Sequence, residues 1–305
     1  MPVTGARMAL ASDAHERGGQ TRAWRPFHTE VADILCVEEA NDNVQPRIHG
    51  RFSVTVMRSA AVVRCESSRS LVAARNCVLV VPASQLYSLR AQSRSTGATV
   101  TLLVGASHLN GLDATDRAAI VTDAALVERV EALVTQLSHP EVSLECAVTV
   151  RGVLGELIES AEPVGSALPR QGTPLVAARD YLRAHFGESV TIAELAGMMG
   201  LAESHLIRAF HREFGLPPHA YQMRLRLAAA CELLASGLSV STVAFECGFA
   251  DQSHLSRNFK AVYGLTPAAW ASAVAAGAHR TAPPGALRSI EPAPTRDLRI
   301  ARVMT

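Results

Sequence analysis

The chain has 305 residues, 48% of them hydrophobic, with 29 Lys+Arg against 28 Asp+Glu and a formal net charge of +1. That length accommodates two domains of about 100–200 residues each, and no run reaches the roughly 18 apolar residues that a membrane span requires. The near-neutral balance excludes a protein that holds nucleic acid by bulk charge, so the placement of its charges carries more information than their number.

The first 26 residues, opening MPVTGARMALASDAHERGG, are expected to form a disordered or arm-like segment. They lack the apolar core of a secretory signal, and the cytoplasm is the expected compartment. From Val31 to about Val104 short apolar runs alternate with turn-like clusters, and strands are predicted at 31–37, 52–58, 60–65, 76–82 and 98–105. Phe52, Val54 and Val56 alternate with Ser53, Thr55 and Met57, the period of a strand buried on one face. So many short strands in about 75 residues point to an antiparallel sandwich or barrel. Beyond Gly111 the period changes to that of helices. Ala124, Val127, Val130, Ala132, Val134 and Leu137 predict one helix ending before Pro140, and Leu144, Val148, Val153, Leu154 and Leu157 predict another from Glu141 to about Ser160. These two helices suit either a dimer seam or packing within the domain. A sensing or dimerisation domain over 27–160 is therefore followed by AEPVGSALPRQGT (161–173), which reads as a linker.

The six cysteines, Cys36, Cys65, Cys77, Cys146, Cys231 and Cys247, form no C-x-x-C pair and no metal-ligand spacing with His. Small buried hydrophobes are expected, with redox sensing by Cys65 and Cys77 as the alternative. His49 stands alone in the predicted barrel, with no H-x-H, so neither a metal nor another cofactor is expected.

Residues 174–275 contain an internal repeat, which takes precedence over single motifs. TIAELAGMMGLAESHLIRAFHREFGLPP (191–218) overlays SVSTVAFECGFADQSHLSRNFKAVYGLTP (239–267). Ile192, Leu195, Ala196 and Gly200 correspond to Val240, Val243, Ala244 and Gly248 at an offset of 48, and Leu206, Arg208, Phe210 and Gly215 to Leu255, Arg257, Phe259 and Gly264 at an offset of 49. Each copy reads as short helix, turn, longer helix. Thr191 and Ser239 are suited to cap the short helices, and the glycines sit where helices must stop. This is the spacing of a helix-turn-helix, and 217–237 reads as one helix joining the two units.

Both longer helices are two-faced. Leu206, Phe210 and Phe214 form one stripe of the first, with Ser204, Ile207, Arg208, His211 and Arg212 opposite. Leu255, Phe259 and Val262 form the stripe of the second, with Gln252, Ser253, Ser256, Arg257 and Lys260 opposite. Arg, Gln and Ser are the types that hydrogen-bond base edges and phosphates, and these faces carry no acid although the segment holds 8 Lys+Arg against 8 acids. An ordinary solvated helix surface is the alternative for either face alone; the matching Arg208 and Arg257 favour DNA.

At these residues the C-terminal region resembles the AraC/XylS family of bacterial transcription regulators. CGFADQSHLSRNFKAVYGLTPAAW (247–270) carries the most specific likeness and LAESHLIRAFHREFG (201–215) a second, within about 100 of the 305 residues. The resemblance implies an α+β protein: an N-terminal cupin-like barrel with helices, supported by ARNCVLVVPASQLYSLRA (74–91), and an all-α domain of two helix-turn-helix units. It implies base contacts from Ser204, Ile207, Arg208, Gln252, Ser253, Ser256 and Arg257. Phosphate contacts are expected from Thr191, His211, Arg212, Arg224, Ser239 and Lys260. Two positions depart from the family: Ala202 stands where a capping serine is usual, and Ala271 where an arginine follows the tryptophan. The implied partners are double-stranded DNA, a small-molecule effector in the N-terminal domain, a second copy of the chain, and RNA polymerase if the protein is an activator. The competing readings are a cupin-type enzyme and a protein-interaction adaptor. Against the enzyme, the chain shows no nucleophile motif, phosphate loop or paired carboxylates with a partner His. The proline-bearing tail, 276–305, is expected to be disordered.

Overall fold

The computed structural model describes residues 21–26, 34–39, 43–66, 71–91, 99–110, 112, 117–137, 144–164 and 172–279. The N-terminal half is a flattened barrel of two antiparallel sheets. The larger holds β1 (Thr21–Trp24), β2 (Ile34–Glu39), β4 (Phe52–Met57), β7 (Cys77–Val81), β9 (Thr99–Val104), β10 (Ala119–Val121) and β11 (Glu162–Pro163), in the order β1-β2-β9-β4-β7-β10-β11. The smaller holds β3 (Asn43–Ile48), β5 (Ala61–Cys65), β6 (Leu71–Ala73) and β8 (Leu86–Ala91), in the order β3-β8-β5-β6.

The alternation in 52–57 leads to something other than a strand with one solvated face. β4 is buried at all six positions. Phe52, Val54 and Val56 join a core with α1 (Ala124–Leu137) and α2 (Leu144–Glu159). The opposite side, with Met57, Leu79 and Val81, faces the smaller sheet through Val63, Tyr87 and Leu89. The described parts of α1 and α2 thus bury Val127, Val130, Val134, Val153, Leu154 and Leu157 within their own domain, as one of the two sequence readings had it.

Three boundaries differ from expectation. Residues 21–24 are a strand rather than part of an arm, because β1 pairs with β2 through Thr21 and Glu39 to Trp24 and Cys36. The expected linker begins inside the sheet: β11 pairs with β10 through Pro163 and Ala119. The last helix runs to His279, so 276–279 are helical rather than tail; residues 1–20 and 280–305 lie outside the described residues. The unpredicted strands β3, β6, β8 and β10 carry Arg, Gln, Pro or small residues that mask their period.

The C-terminal half is all-helical: α3 (Pro174–Ala184), α4 (Ile192–Met199), α5 (Glu203–Phe214), α6 (Pro218–Ala235), α7 (Val240–Glu246), α8 (Gln252–Tyr263) and α9 (Pro267–His279). Its core is shared with the barrel. One cluster of buried side chains contains Leu35, Ile48, Leu86 and Leu103 from the strands together with Tyr221, Leu225, Leu234, Phe259, Tyr263 and Trp270 from the helices. The apolar face expected from the sequence of 217–237, Tyr221, Leu225, Ala228, Leu233 and Leu234, describes α6 only in part, and Leu233 is half-buried. Met223, Leu227, Ala229, Ala230 and Cys231 are buried as well, because the barrel covers the side that a lone domain would expose to water.

Polar groups at this seam are paired. Tyr221 donates to Glu66 Oε1 at 2.6 Å, Arg183 reaches Glu66 Oε2 at 3.3 Å and the Ser84 carbonyl at 2.7 Å, and Arg51 donates to Glu232 Oε2 at 2.8 Å. Arg47 donates to Glu39 at 2.8 Å with its guanidinium 5.7 Å from the Tyr263 ring centroid. Burial pulls Arg47 down, and the Glu39 carboxylate more than offsets that, so it stays charged. Breaking such a pair leaves a buried charge uncompensated, at about 3–5 kcal/mol.

His49 is fully buried, and its Nε2 lies 2.9 Å from the Tyr87 hydroxyl. Burial, with Arg47 adding its charge, lowers its pKa to about 3. Between about pH 3 and 6.5 the unfolded chain therefore takes up a proton that the folded chain refuses, and stability falls as pH drops through 6.5. We predict a loss of about 1.4 kcal/mol from this group between pH 7.5 and 5.5. Urea denaturation of the parent and of His49→Gln at both pH values checks it: the parent's extra sensitivity to acid should vanish in the variant.

Candidate nucleic-acid interface

Each bihelical unit is assembled from local signals that act on the backbone. Thr191 caps α4 by accepting from the Glu194 N–H, while Glu194 accepts from the Thr191 N–H at 2.9 Å, a complete capping box. Ser239 caps α7 through the Thr242 N–H at 3.2 Å. The α4–α5 turn passes through Gly200 at φ 64° and the α7–α8 turn through Gly248 at φ 73°, both left-handed. For an L-residue that conformation costs about 1–2 kcal/mol. At Gly248 sterics forbid a side chain outright, since a Cβ would stand 2.0 Å from the Gly187 carbonyl oxygen.

That close approach joins the two units. Gln222 on α6 donates to the carbonyls of Phe186 and Glu188 at 3.1 and 2.9 Å. Arg226, one turn further on, donates to Phe186 O at 2.7 Å, Glu188 O at 2.7 Å and Gly248 O at 2.6 Å. One helix therefore ties the turn before α4 to the turn before α8. Sequence reasoning missed both residues; a Gln and an Arg four apart on a helix otherwise rich in apolar residues were the available signal.

The two longer helices bury the expected stripes. Leu206, Phe210 and Phe214 of α5 and Leu255, Phe259 and Val262 of α8 are inside. Ser204, Ile207, Arg208, His211 and Arg212 are exposed on α5, as are Gln252, Ser253, Arg257 and Lys260 on α8, with Ser256 half-buried. Ile207 is 38% exposed, an apolar residue held in solvent among polar ones. Arg208, Arg212, Arg257 and Lys260 make no ion pair or hydrogen bond among the described residues, so their charges remain available.

The barrel leaves these faces open because it grips the helices by their other ends. Arg47 reaches the Val262 carbonyl at 3.4 Å, Tyr263 donates to the Ile48 carbonyl at 3.4 Å, and a Cβ on Gly264 would meet Thr21 Oγ1 at 2.7 Å. All three contacts lie at the C-terminal end of α8, whereas Gln252, Ser253, Ser256 and Arg257 occupy its first half. On α5, Gly215 lies beside Arg64 of the smaller sheet, whose Nε is 3.7 Å from where a Gly215 Cβ would stand. The N-terminal turn of α5 has no side-chain cap, and its positive dipole end favours phosphate; at α8 the Asp251 carboxylate already accepts the His254 N–H.

Not every expected contact belongs to this surface. Arg224 is half-buried and donates to the Pro46 carbonyl of the barrel at 2.5 Å, so its guanidinium serves the seam between domains. Thr191 and Ser239 are exposed but engaged as helix caps. The two units differ at one cap: Asp251 accepts from the His254 N–H at 2.7 Å, whereas Ala202 offers α5 no side-chain acceptor. Cys36, Cys65, Cys77, Cys231 and Cys247 are buried, and burial pushes the Cys65 thiol up to about 12 and raises Cys77, which keeps both out of the reactive thiolate form.

Comparison with known proteins follows this geometry. Residues 195–273 match the helix-turn-helix domain family. The uncharacterized HTH-type transcriptional regulator YbfI of Bacillus subtilis is 32% identical over 105 residues, covering 34% of this chain and 38% of that protein. The HTH-type transcriptional activator RhaS of Escherichia fergusonii is 40% identical over 88 residues, covering 28% of this chain and 32% of that protein. The chain thus spans about a third of the length of these relatives. The crystal structure of ToxT from Vibrio cholerae is 11% identical, covers 84% of this chain and 97% of that one, and superposes loosely, at a TM-score of 0.47.

The missing cap yields a stability test. Ala202→Ser should let the hydroxyl accept an orphan N–H of the first turn of α5 and raise unfolding stability by about 1 kcal/mol. Denaturant melts of the full chain measure the gain; Asp251→Ala should show a loss of similar size.

Proposed function

We infer that this chain, whose C-terminal third is an AraC/XylS-type domain of two helix-turn-helix units, is a sequence-specific DNA-binding transcription regulator. The observation that carries the reading is the pair of exposed, acid-free helix faces around Arg208 and Arg257, held by one helix and left uncovered by the barrel. Affinity would come from phosphate contacts by His211, Arg212 and Lys260 and from the N-terminal turn of α5. Sequence choice would come from Ser204, Ile207, Arg208, Gln252, Ser253, Ser256 and Arg257 in the major groove. The connecting helix α6 has 18 residues, about 27 Å of rise at 1.5 Å each. Successive faces of the major groove on one side of DNA repeat at about 34 Å, a spacing that two units joined by such a helix, each with its own reach, can match.

The barrel, sharing a core with the DNA-binding helices, would be the regulatory half, responding to a small molecule or joining a second copy. RhaS is named an activator, and contact with RNA polymerase follows for this chain if it acts in the same sense. The relatives are transcription regulators rather than enzymes, and among the described residues no group of three or more His, Cys, Asp or Glu gathers that could hold a metal. No described helix is long and apolar enough to cross a membrane. A cytoplasmic protein acting on DNA is the reading these features support.

Two measurements test it. DNase footprinting on the DNA flanking the chain's own gene should protect two patches one helical turn apart for each bound chain; one patch alone would mean that only one unit reads DNA. Gel shifts on that site should show Arg257→Ala weakened by about 1–3 kcal/mol, roughly 5- to 150-fold, with non-specific DNA little affected. Equal losses on both DNAs would reduce Arg257 to a phosphate contact.

A further inference from the structure

The smaller sheet turns one face away from the barrel interior. Along β5 and β8 that face reads Val62, Arg64, Ser88 and Arg90, while Val63, Cys65, Tyr87 and Leu89 point inward and are buried. The register sets Val62 opposite Arg90 and Arg64 opposite Ser88. The two arginines are therefore diagonal neighbours on one face, about 7–8 Å apart at their backbones and within joint reach of one small anion.

This face is the floor of a cleft of about 680 Å³, whose far wall is Phe214 and Gly215 at the end of α5. A volume of that size holds a small organic ligand. Its lining contains Arg64 and Arg90 and no Asp or Glu. Neither arginine makes a hydrogen bond or ion pair among the described residues, although elsewhere along the same seam Arg47, Arg51, Arg183 and Arg224 all find a protein acceptor. Half-buried Val62 adds apolar surface beside the two charges, with the buried Leu86 and Phe214 behind the lining. Two unpaired guanidiniums, with a serine hydroxyl between them and Val62 beside them, form a receptor for an oxyanion carried on a small apolar body.

We propose that the cleft between the β5–β8 face and the end of α5 binds a small amphipathic anion, a carboxylate or phosphate ester with an aromatic or aliphatic part, through Arg64 and Arg90. The inference rests on the reading of the barrel as the regulatory half. An occupant would lie beside Gly215, the left-handed cap that closes the first recognition helix. Arg64 already lies there, its Nε 3.7 Å from where a Gly215 Cβ would stand, beside the negative end of the α5 dipole. Bound anion and helix terminus would share one guanidinium, which links the cleft to the DNA-reading element without a hinge.

The test is direct titration of the full chain, without DNA, with the fluorescent aromatic sulfonate 8-anilinonaphthalene-1-sulfonate and with its neutral counterpart N-phenyl-1-naphthylamine. Saturable one-to-one binding of the sulfonate is expected, weakened about tenfold or more in Arg64→Ala and in Arg90→Ala and unchanged in Arg58→Ala, an exposed arginine outside the cleft. Displacement by octanoate but not phenyl phosphate would make the natural anion a carboxylate; the reverse order would make it a phosphate ester. Absence of saturable binding, equal binding of the neutral probe, or indifference to both arginine substitutions would overturn the proposal. Because both side chains are exposed, unchanged melting temperatures of the variants certify their folding. A chain that still shifts its DNA site while failing these titrations would lose the cleft and keep the regulator.

Discussion

The burial of α6 on every side is the constraint from which the rest of the structure follows. A helix between two bihelical units needs only one apolar stripe, yet here Tyr221, Met223, Leu225, Leu227, Ala230, Cys231 and Leu234 are all inside. Removing that surface from water, at about 25 cal/mol per Å², draws on cover from strand residues as well as from the helices. The two halves consequently share one core. The polar residues that remain on α6 are then compelled to find partners: Tyr221 with Glu66, Arg224 with Pro46, Glu232 with Arg51 on the barrel side, and Gln222 and Arg226 with the turns of the helical domain. A single element thereby fixes the relation between the two recognition helices and the relation of both to the barrel.

The same arrangement resolves the charge paradox of a helix-turn-helix domain with no net charge that is proposed to bind DNA. Half of its eight basic residues are spent on structure: Arg179 on Asp180, Arg183 on Glu66 and Ser84, Arg224 on the barrel, Arg226 on three carbonyls. What is left, Arg208, Arg212, Arg257 and Lys260, lies on the exposed faces of α5 and α8. The uncommitted cations are concentrated where a polyanion would dock, and long-range attraction depends on such local fields more than on the domain's sum. The barrel reinforces this by taking hold of the C-terminal ends of both helices, where the dipole is negative, and leaving the N-terminal ends uncovered.

The structure also explains why the two units need not be equivalent. They share offsets, left-handed turns and buried stripes, but α8 begins on an aspartate cap and α5 on an uncapped alanine. The end of α5 lies against a cleft with unpaired arginines, and the end of α8 against the buried Arg47–Glu39 pair.

The helical half was largely legible because its signals are local. Thr191, Ser239 and four glycines act on their own backbone within a few residues, the apolar stripes recur at helical spacing, and the repeat doubles each signal; the exposed residues of α5 and α8 fall where that spacing sends them. The five apolar strands were legible for the same reason, and β3 and β8 were not, because Pro46, Arg47 and Arg90 break the alternation. What the tertiary structure alone decided are facts about pairs far apart in the chain. That β4 would be covered on both faces, that Arg224 would turn to the barrel instead of to phosphate, that Gly248 would have Gly187 pressed against it, and that Arg64 and Arg90 would share a cleft with Phe214 depend on which surfaces meet. A residue's neighbours along the chain set its backbone; only long-range packing sets its dielectric, its partners and the space in front of it.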